Sequence, residues 1–193
     1  DHAGHARSTD RHQRAVVDNL LASDRIIQFE NRADGHVRRF EDCDHATWLA
    51  ALEQNLLAPA LMIRAVIGGM RARRFGRIVN VTSAMVKAPH AAMGLSTAAR
   101  SALTAVCKGL SREVARDGVT INNLLPERID TGRQRFMAEL RAKSGGVTVE
   151  QAYAEMAATI AAGRLGTPEE FGAMCAWLCS VQAGFVSGQN LSV

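Results

Sequence analysis

An apolar, β-branched run, Ile78-Val79-Asn80-Val81, most limits what this chain can fold into. Runs of this kind form buried strands. The run ends in Thr82-Ser83, two small hydroxyl residues where the chain must leave the sheet. In open α/β sheets, ligands sit in the crevice beyond the carboxyl ends of the strands. Ser83 is therefore expected where chemistry can occur. A loop with Pro89 and His90 follows, and a helix is expected from Ser96. Arg100 lies four positions after Ser96, so the two share a helix face and can point at whatever Ser83 faces.

The rest of the chain alternates helical and strand patterns. Val16, Val17, Leu20 and Leu21 have helical spacing over residues 10–23, and residues 25–29 form a short strand. Asn31-Arg32-Ala33-Asp34-Gly35 then reads as a polar turn. Asp44 is placed to cap a long helix over 45–73, mostly buried, which Pro59 kinks or splits. Asn55 sits among Leu52, Leu56 and Leu57, where a polar side chain needs a partner. Gly76 is expected to end this helix. Residues 96–116 form the next helix, with Ala98, Ala99, Ala102 and Ala105 as a small-residue side. Strands follow at 120–125 and 189–193. Between them lie two polar-faced helices, with a capping box at Thr148 and Gln151, and a helix opened by Thr167-Pro168-Glu169-Glu170. Tyr153, the single tyrosine, is expected to pack or lie on the surface. The alternation predicts one α/β domain with a three-layer parallel sheet.

Composition narrows the function classes. The chain has 193 residues, 47% hydrophobic and 22% charged, with a formal charge of +4. That is ordinary for a globular domain. Arg71, Arg73, Arg74 and Arg77 close a predicted helix, where cations suit the dipole, so no nucleic-acid partner is expected. Cys43, Cys107, Cys175 and Cys179 lack metal-ligand spacing and are expected to be buried free thiols. His2, His5 and His12 lie in a small polar start with no supporting ligand frame, so no metal site is expected. No apolar run long enough to span a bilayer and no signal-peptide pattern is found, giving a cytoplasmic expectation with no membrane partner.

The stretch from Ser83 to Arg100 resembles the active-site frame of the short-chain dehydrogenase/reductase family. That family has a strand ending in Ser, a Tyr thirteen residues on and a Lys four further. Here the Ser is Ser83, while Ser96 and Arg100 stand at the other two places. Asn55 matches the family's Asn, which organises a water in a proton relay. Asn31, Ala33 and Gly35 partly match the family's Asn-Asn-Ala-Gly, with Arg32 and Asp34 departing from it. Pro126, Ile129 and Thr131 match Pro-Gly-x-Ile/Val-x-Thr, with Glu127 in place of the glycine. The resemblance implies a Rossmann-like fold and substrate-lid helices over 132–165. It also implies an oxidoreductase that uses NAD(P) to reduce a carbonyl or 3-oxoacyl-type substrate. Asn55, Ser83, Ser96 and Arg100 would be its catalytic groups. Asn31, Ala33, Gly35, Arg100, Pro126, Ile129 and Thr131 would be its cofactor-binding groups. It further implies a homodimer or homotetramer through helices 45–73 and 96–116, with Leu57, Leu61 and Met62 in the seam.

Two departures set the chemistry. The family's Thr-Gly-x-x-x-Gly-x-Gly turn, which cradles the cofactor pyrophosphate on backbone N–H groups, matches no stretch of these 193 residues. The sheet is accordingly expected to be N-terminally truncated, lacking the first β-α-β-α-β part. Ser96 is also a far weaker acid than a phenol, and Arg100 is not equivalent to Lys. An oxidoreductase with an altered site and a non-catalytic family member, acting as a structural partner subunit or remnant, are both compatible with this pattern. Calorimetric titration of the 193-residue chain with NADH and NADPH is expected to show weak binding or none. A micromolar dissociation constant would contradict that expectation.

Overall fold

The computed structural model describes residues 39–193 and the backbone of strand β1, Ile27–Phe29. The helix expected over 10–23, the amino-terminal histidines and Asn31, Ala33 and Gly35 lie outside the described residues. Three further strands follow: β2 (Gly76–Val81), β3 (Val119–Leu125) and β4 (Asn190–Ser192). All four pair in parallel in the order β1-β2-β3-β4. The organising strand β2 is interior, with Ile78 opposite Ile27 on one side and Ile121 on the other.

Helices cover both faces. The first helical span comprises α1 (His45–Leu52), a π-helical segment (Glu53–Leu57) and α2 (Ala58–Ala72). Asp44 caps it, accepting the Thr47 N–H at 2.8 Å. Pro59 does not break the span. It sits in the first turn of α2, where a missing N–H is tolerated, and the π segment precedes it. Helix α3 (Gly94–Val114) lies beside α2. Ile63, Val66 and Met70 of α2 and Leu103, Cys107 and Val114 of α3 pack on Ile78, Val119 and Ile121. On the other face, Cys175 and Leu178 of α6 (Pro168–Cys179) pack on Val79 and Leu124. Strand β3 is buried on both sides, which matches its unbroken apolar and amide sequence.

The connection from α2 to β2 departs from expectation. The left-handed residue is Arg74, with φ 53°, while Gly76 is already the first residue of β2. Gly118, with φ 75°, approaches the Arg74 carbonyl so closely that a Cβ there would collide with it. The arginine group also divides. Arg71 binds Asp117 at 2.7 Å and Glu113 at 3.0 Å, joining the ends of α2 and α3. Arg77 is not at a solvated helix end. It is buried, stacked 4.5 Å from the Phe75 ring centroid, and donates to the carbonyls of Gly76, Gly118 and Ser180.

Four further expectations need correction. The helix over 45–73 is not mostly buried, because Leu49, Leu57 and Leu61 are exposed. Its 28 residues are also long and apolar enough to cross a bilayer by length and composition, contrary to the reading of the sequence, although one face carries sheet-packing residues. Ala99 faces the core, whereas Ala98 and Ala105 face outward, because a helix turns 100° per residue. Cys107 and Cys175 are buried free thiols, but Cys43 and Cys179 are only half-buried.

Helices α4 (Gly132–Gly145) and α5 (Val149–Ala158) form a hairpin with its own small core of Ala138, Ala152 and Met156. The capping boxes at Thr148–Gln151 and Thr167–Glu170 both form. Ile121→Ala removes side-chain carbons from a fully buried site, with an expected loss of about 2–5 kcal/mol. Thr167→Ala removes only a cap, with an expected loss of about 1 kcal/mol. Urea unfolding followed by circular dichroism measures both.

Candidate active site

The site is assembled where β2 and β3 end. The Thr82 N–H donates to the Leu124 carbonyl at 2.8 Å, and the Ala84 N–H to the Pro126 carbonyl at 3.1 Å. These bonds hold the two strand ends together as the chain leaves the sheet. Ser83 is half-buried, and its Oγ accepts the Met85 N–H at 3.2 Å, capping a short 3-10 turn, Ala84–Val86. Helix α3 starts two residues before the expected Ser96, which places Ser96 in its first turn.

Arg100 joins these pieces. Its Nε donates to Ser96 Oγ at 2.9 Å, and its Nη1 donates to the Thr82 carbonyl at 2.5 Å. The helix is thereby fastened to the residue immediately before Ser83. Arg100 is buried, and burial first, then the charge of Arg133, holds its pKa down to about 10. It therefore stays protonated at neutral pH. Among the described residues no carboxylate pairs with it.

Asn55 lies on the π-helical segment, which packs against α3. It is buried, and its Nδ2 donates back to the Ala51 carbonyl at 3.1 Å. Direct contact thus joins Ser96 to Arg100 and Arg100 to Thr82. Asn55 is placed on the neighbouring helical segment, which packs against α3.

The described cofactor candidates lie along the segment after β3. Pro126 supplies the carbonyl that holds Ala84. Ile129 forms a parallel bridge with Gly166, which anchors both ends of the helical hairpin. Thr131 precedes α4 without a side-chain cap bond. It lines a hollow of about 640 Å³ with Asp130, Gly132, Arg135, Val149, Glu150 and Tyr153. Tyr153 packs against the small core of the hairpin, as expected, and its hydroxyl has a further role. Its phenol donates to Asp130 Oδ1 at 3.2 Å, tying α5 to the strand-end segment. Burial and that bond push its pKa up, which makes it a weaker proton donor. The hollow contains none of Ser83, Ser96 and Arg100, so the hydroxyl–guanidinium cluster is the better candidate for chemistry.

Two features escaped the sequence. The first is Arg133 of the hairpin, whose charge reaches Arg100. A cation in the first turn of a helix opposes the usual dipole preference, and that oddity was the available signal. The second is an amide ladder in the sheet. Asn80 Nδ2 donates to Asn123 Oδ1 at 2.9 Å, and Asn123 Nδ2 donates to Asn190 Oδ1 at 2.8 Å.

Comparison with known proteins follows the same lines. Residues 14–193 match the family model described as enoyl-(acyl carrier protein) reductase. The NADPH-dependent reductase BacG of Bacillus subtilis is 28% identical over 187 residues, covering 95% of this chain and 72% of that protein. The 3-oxoacyl-[acyl-carrier-protein] reductase FabG of Vibrio cholerae is 33% identical over 146 residues, covering 76% of this chain and 55% of that protein. The crystal structure of YwfH, an NADPH-dependent reductase of bacilysin biosynthesis, superposes with a TM-score of 0.83 at 26% identity, over 95% of this chain and 72% of that one. The chain thus spans between about half and three quarters of the length of these relatives.

Arg100→Met leaves the buried Thr82 carbonyl without this donor and is expected to lose about 1–3 kcal/mol in urea unfolding. Ser96→Ala removes one partly buried bond and is expected to lose about 1 kcal/mol.

Proposed function

The chain belongs to the short-chain dehydrogenase/reductase family, and from that premise we propose an NAD(P)-dependent oxidoreductase acting on a carbonyl or 3-oxoacyl-type substrate through an altered site. The observation that carries this reading is the Arg100 clasp between Ser96 and the Thr82 carbonyl. It keeps the family's Ser83, Ser96 and Arg100 positions together at the end of β2. The name of BacG supports the cofactor, and the names of FabG and the Cupriavidus necator acetoacetyl-CoA reductase support the substrate class.

The residues present fit the nicotinamide-ribose end of the cofactor. Arg100 Nη2 makes no hydrogen bond to a described residue and offers donors for ribose hydroxyls. Pro126, Ile129 and Thr131 would line the same side, with Asn31, Ala33 and Gly35 as further candidates. When bound, the cofactor supplies a hydride. Ser83 and Asn55 would orient the carbonyl and a relay water. Ser96 is the weak point, because its hydroxyl is a poor acid and its oxygen already accepts from Arg100. That observation favours the second reading, a non-catalytic family member serving as a structural partner subunit.

The two readings separate on turnover. NADPH oxidation is measured with an acetoacetyl thioester at millimolar cofactor. The first reading predicts slow oxidation that Ser83→Ala and Arg100→Gln each reduce at least about tenfold. No oxidation above the uncatalysed rate favours the second.

A symmetric assembly belongs to the same proposal. Leu49, Leu57 and Leu61 on the first helical span are exposed, as are Ala98, Ala105 and Val106 on α3. Two neighbouring helices with outward apolar and small residues are suited to a two-fold interface giving a homodimer or homotetramer. Ala102→Arg, on the rim of that face, is expected to shift the mass seen by light scattering to the monomer with an unchanged circular dichroism spectrum. A monomeric unmodified chain at micromolar concentration contradicts the assembly.

A further inference from the structure

We propose that Cys175 and Cys179 of α6 form a dithiol site that hydrogen peroxide oxidises to a disulfide within the helix. This goes beyond the proposed function and does not rest on it. The pair lies on the face of the sheet that α6 covers, among residues that the proposed chemistry does not use.

Helical period places the two side chains together. Four residues advance a helix by about 6 Å with little rotation, so the Cα atoms of Cys175 and Cys179 stand about 6 Å apart on one face. That separation lies within the range a disulfide spans. Both are free thiols, Cys175 buried and Cys179 half-buried. Both pack in one cluster with Val79, Leu124, Leu178 and Ala183, so they face the same seam between helix and sheet. Their Cβ atoms must still draw closer by about 1–2 Å. The helix can give at that point. Cys179 is its last residue, and Ser180 is already extended, with φ −81° and ψ 169°.

The surroundings suit a reactive pair. Arg77 Nε donates at 3.0 Å to the carbonyl of Ser180, the residue after Cys179, which sets a guanidinium at this end of the helix. The Cys179 thiol donates to the Cys175 sulfur, and that bond brings Cys175 down to about 7 against the effect of burial. The same bond and burial hold Cys179 up, with the Arg77 charge opposing them. The pair thus gives up one proton near neutral pH and keeps the other between its sulfurs. When that proton passes to Cys175, the charge sits on Cys179, the half-buried sulfur beside Arg77. The Cys179 thiolate attacks one peroxide oxygen, the O–O bond breaks, hydroxide leaves, and a sulfenic acid forms. The Cys175 thiolate then attacks the Cys179 sulfur, the S–O bond breaks, and a second hydroxide leaves. The two thiol protons turn both hydroxides into water. Two thiols and one peroxide therefore give one disulfide and two waters, with sulfur oxidised and peroxide oxygen reduced. Cys107 contrasts with this pair, because burial pushes its thiol up to about 11.

The test exposes the folded 193-residue chain to micromolar hydrogen peroxide and stops the reaction with catalase. The chain is then unfolded with iodoacetamide, digested with trypsin and weighed by mass spectrometry. Residues 165–193 contain no Lys or Arg, so Cys175 and Cys179 stay in one peptide, apart from Cys43 and Cys107. That peptide is expected to carry no alkyl group and to be about 2 Da lighter than its dithiol form. Dithiothreitol before alkylation is expected to restore two alkylated cysteines, and Cys107 is expected to stay alkylated throughout. In Cys175→Ala the resolving sulfur is gone, so dimedone is expected to capture Cys179 as sulfenic acid at least about fivefold more than in the unmodified chain. Two alkylated cysteines in the peptide after peroxide, a disulfide to a second chain, or equal dimedone capture in Cys175→Ala and the unmodified chain overturns the proposal.

Discussion

One buried guanidinium fastens the start of helix α3 to the end of β2. Arg100 reaches from α3 to the last carbonyls of β2 and holds Ser96 on the way. Lysine has a single nitrogen and could not make both bonds with the same geometry. The arginine thus converts a position that the family uses for catalysis into a structural clasp as well. Among the described residues no carboxylate pairs with that guanidinium, which stands beside the Ser96 hydroxyl.

The folding of the chain explains how such a site can persist. Strands β2 and β3 are buried between α2 and α3 on one side and α6 on the other. Fully burying a side chain such as Ile121 or Leu124 contributes roughly 1.5–3 kcal/mol. The strand ends are therefore fixed by a core that does not depend on the identity of residue 96 or residue 100. The helical hairpin carries its own small core and connects to the strand-end segment through the Ile129–Gly166 bridge and the Tyr153–Asp130 bond. Residues of the hairpin can vary while the sheet stays unchanged.

Local signals were legible from the sequence. Asp44, Thr148 and Thr167 cap helices as their spacing requires, because capping involves residues three apart. The interior position of Ile78-Val79 and the contact of Ser96 with Arg100 were also legible, one from β-branched burial and the other from helical period. Features set by tertiary context were not. Arg74, rather than the neighbouring glycine, takes the left-handed turn because Gly118 must approach its carbonyl. The π-helical segment that carries Asn55 has no sequence signature beyond the proline that follows it. The approach of Arg133 to Arg100 joins residues on separate elements, and helical periodicity says nothing about such a pair.

We propose that the chain keeps the family's frame and carries serine where the family has its acid. The most direct measurement is the rate of NADPH oxidation by the Ser96→Tyr/Arg100→Lys double variant with millimolar NADPH and an acetoacetyl thioester, set against the unmodified chain. A positioned general acid contributes about 10²–10⁴-fold to rate, so the account predicts a gain of at least about a hundredfold. A folded double variant that turns over no faster than the unmodified chain would contradict it.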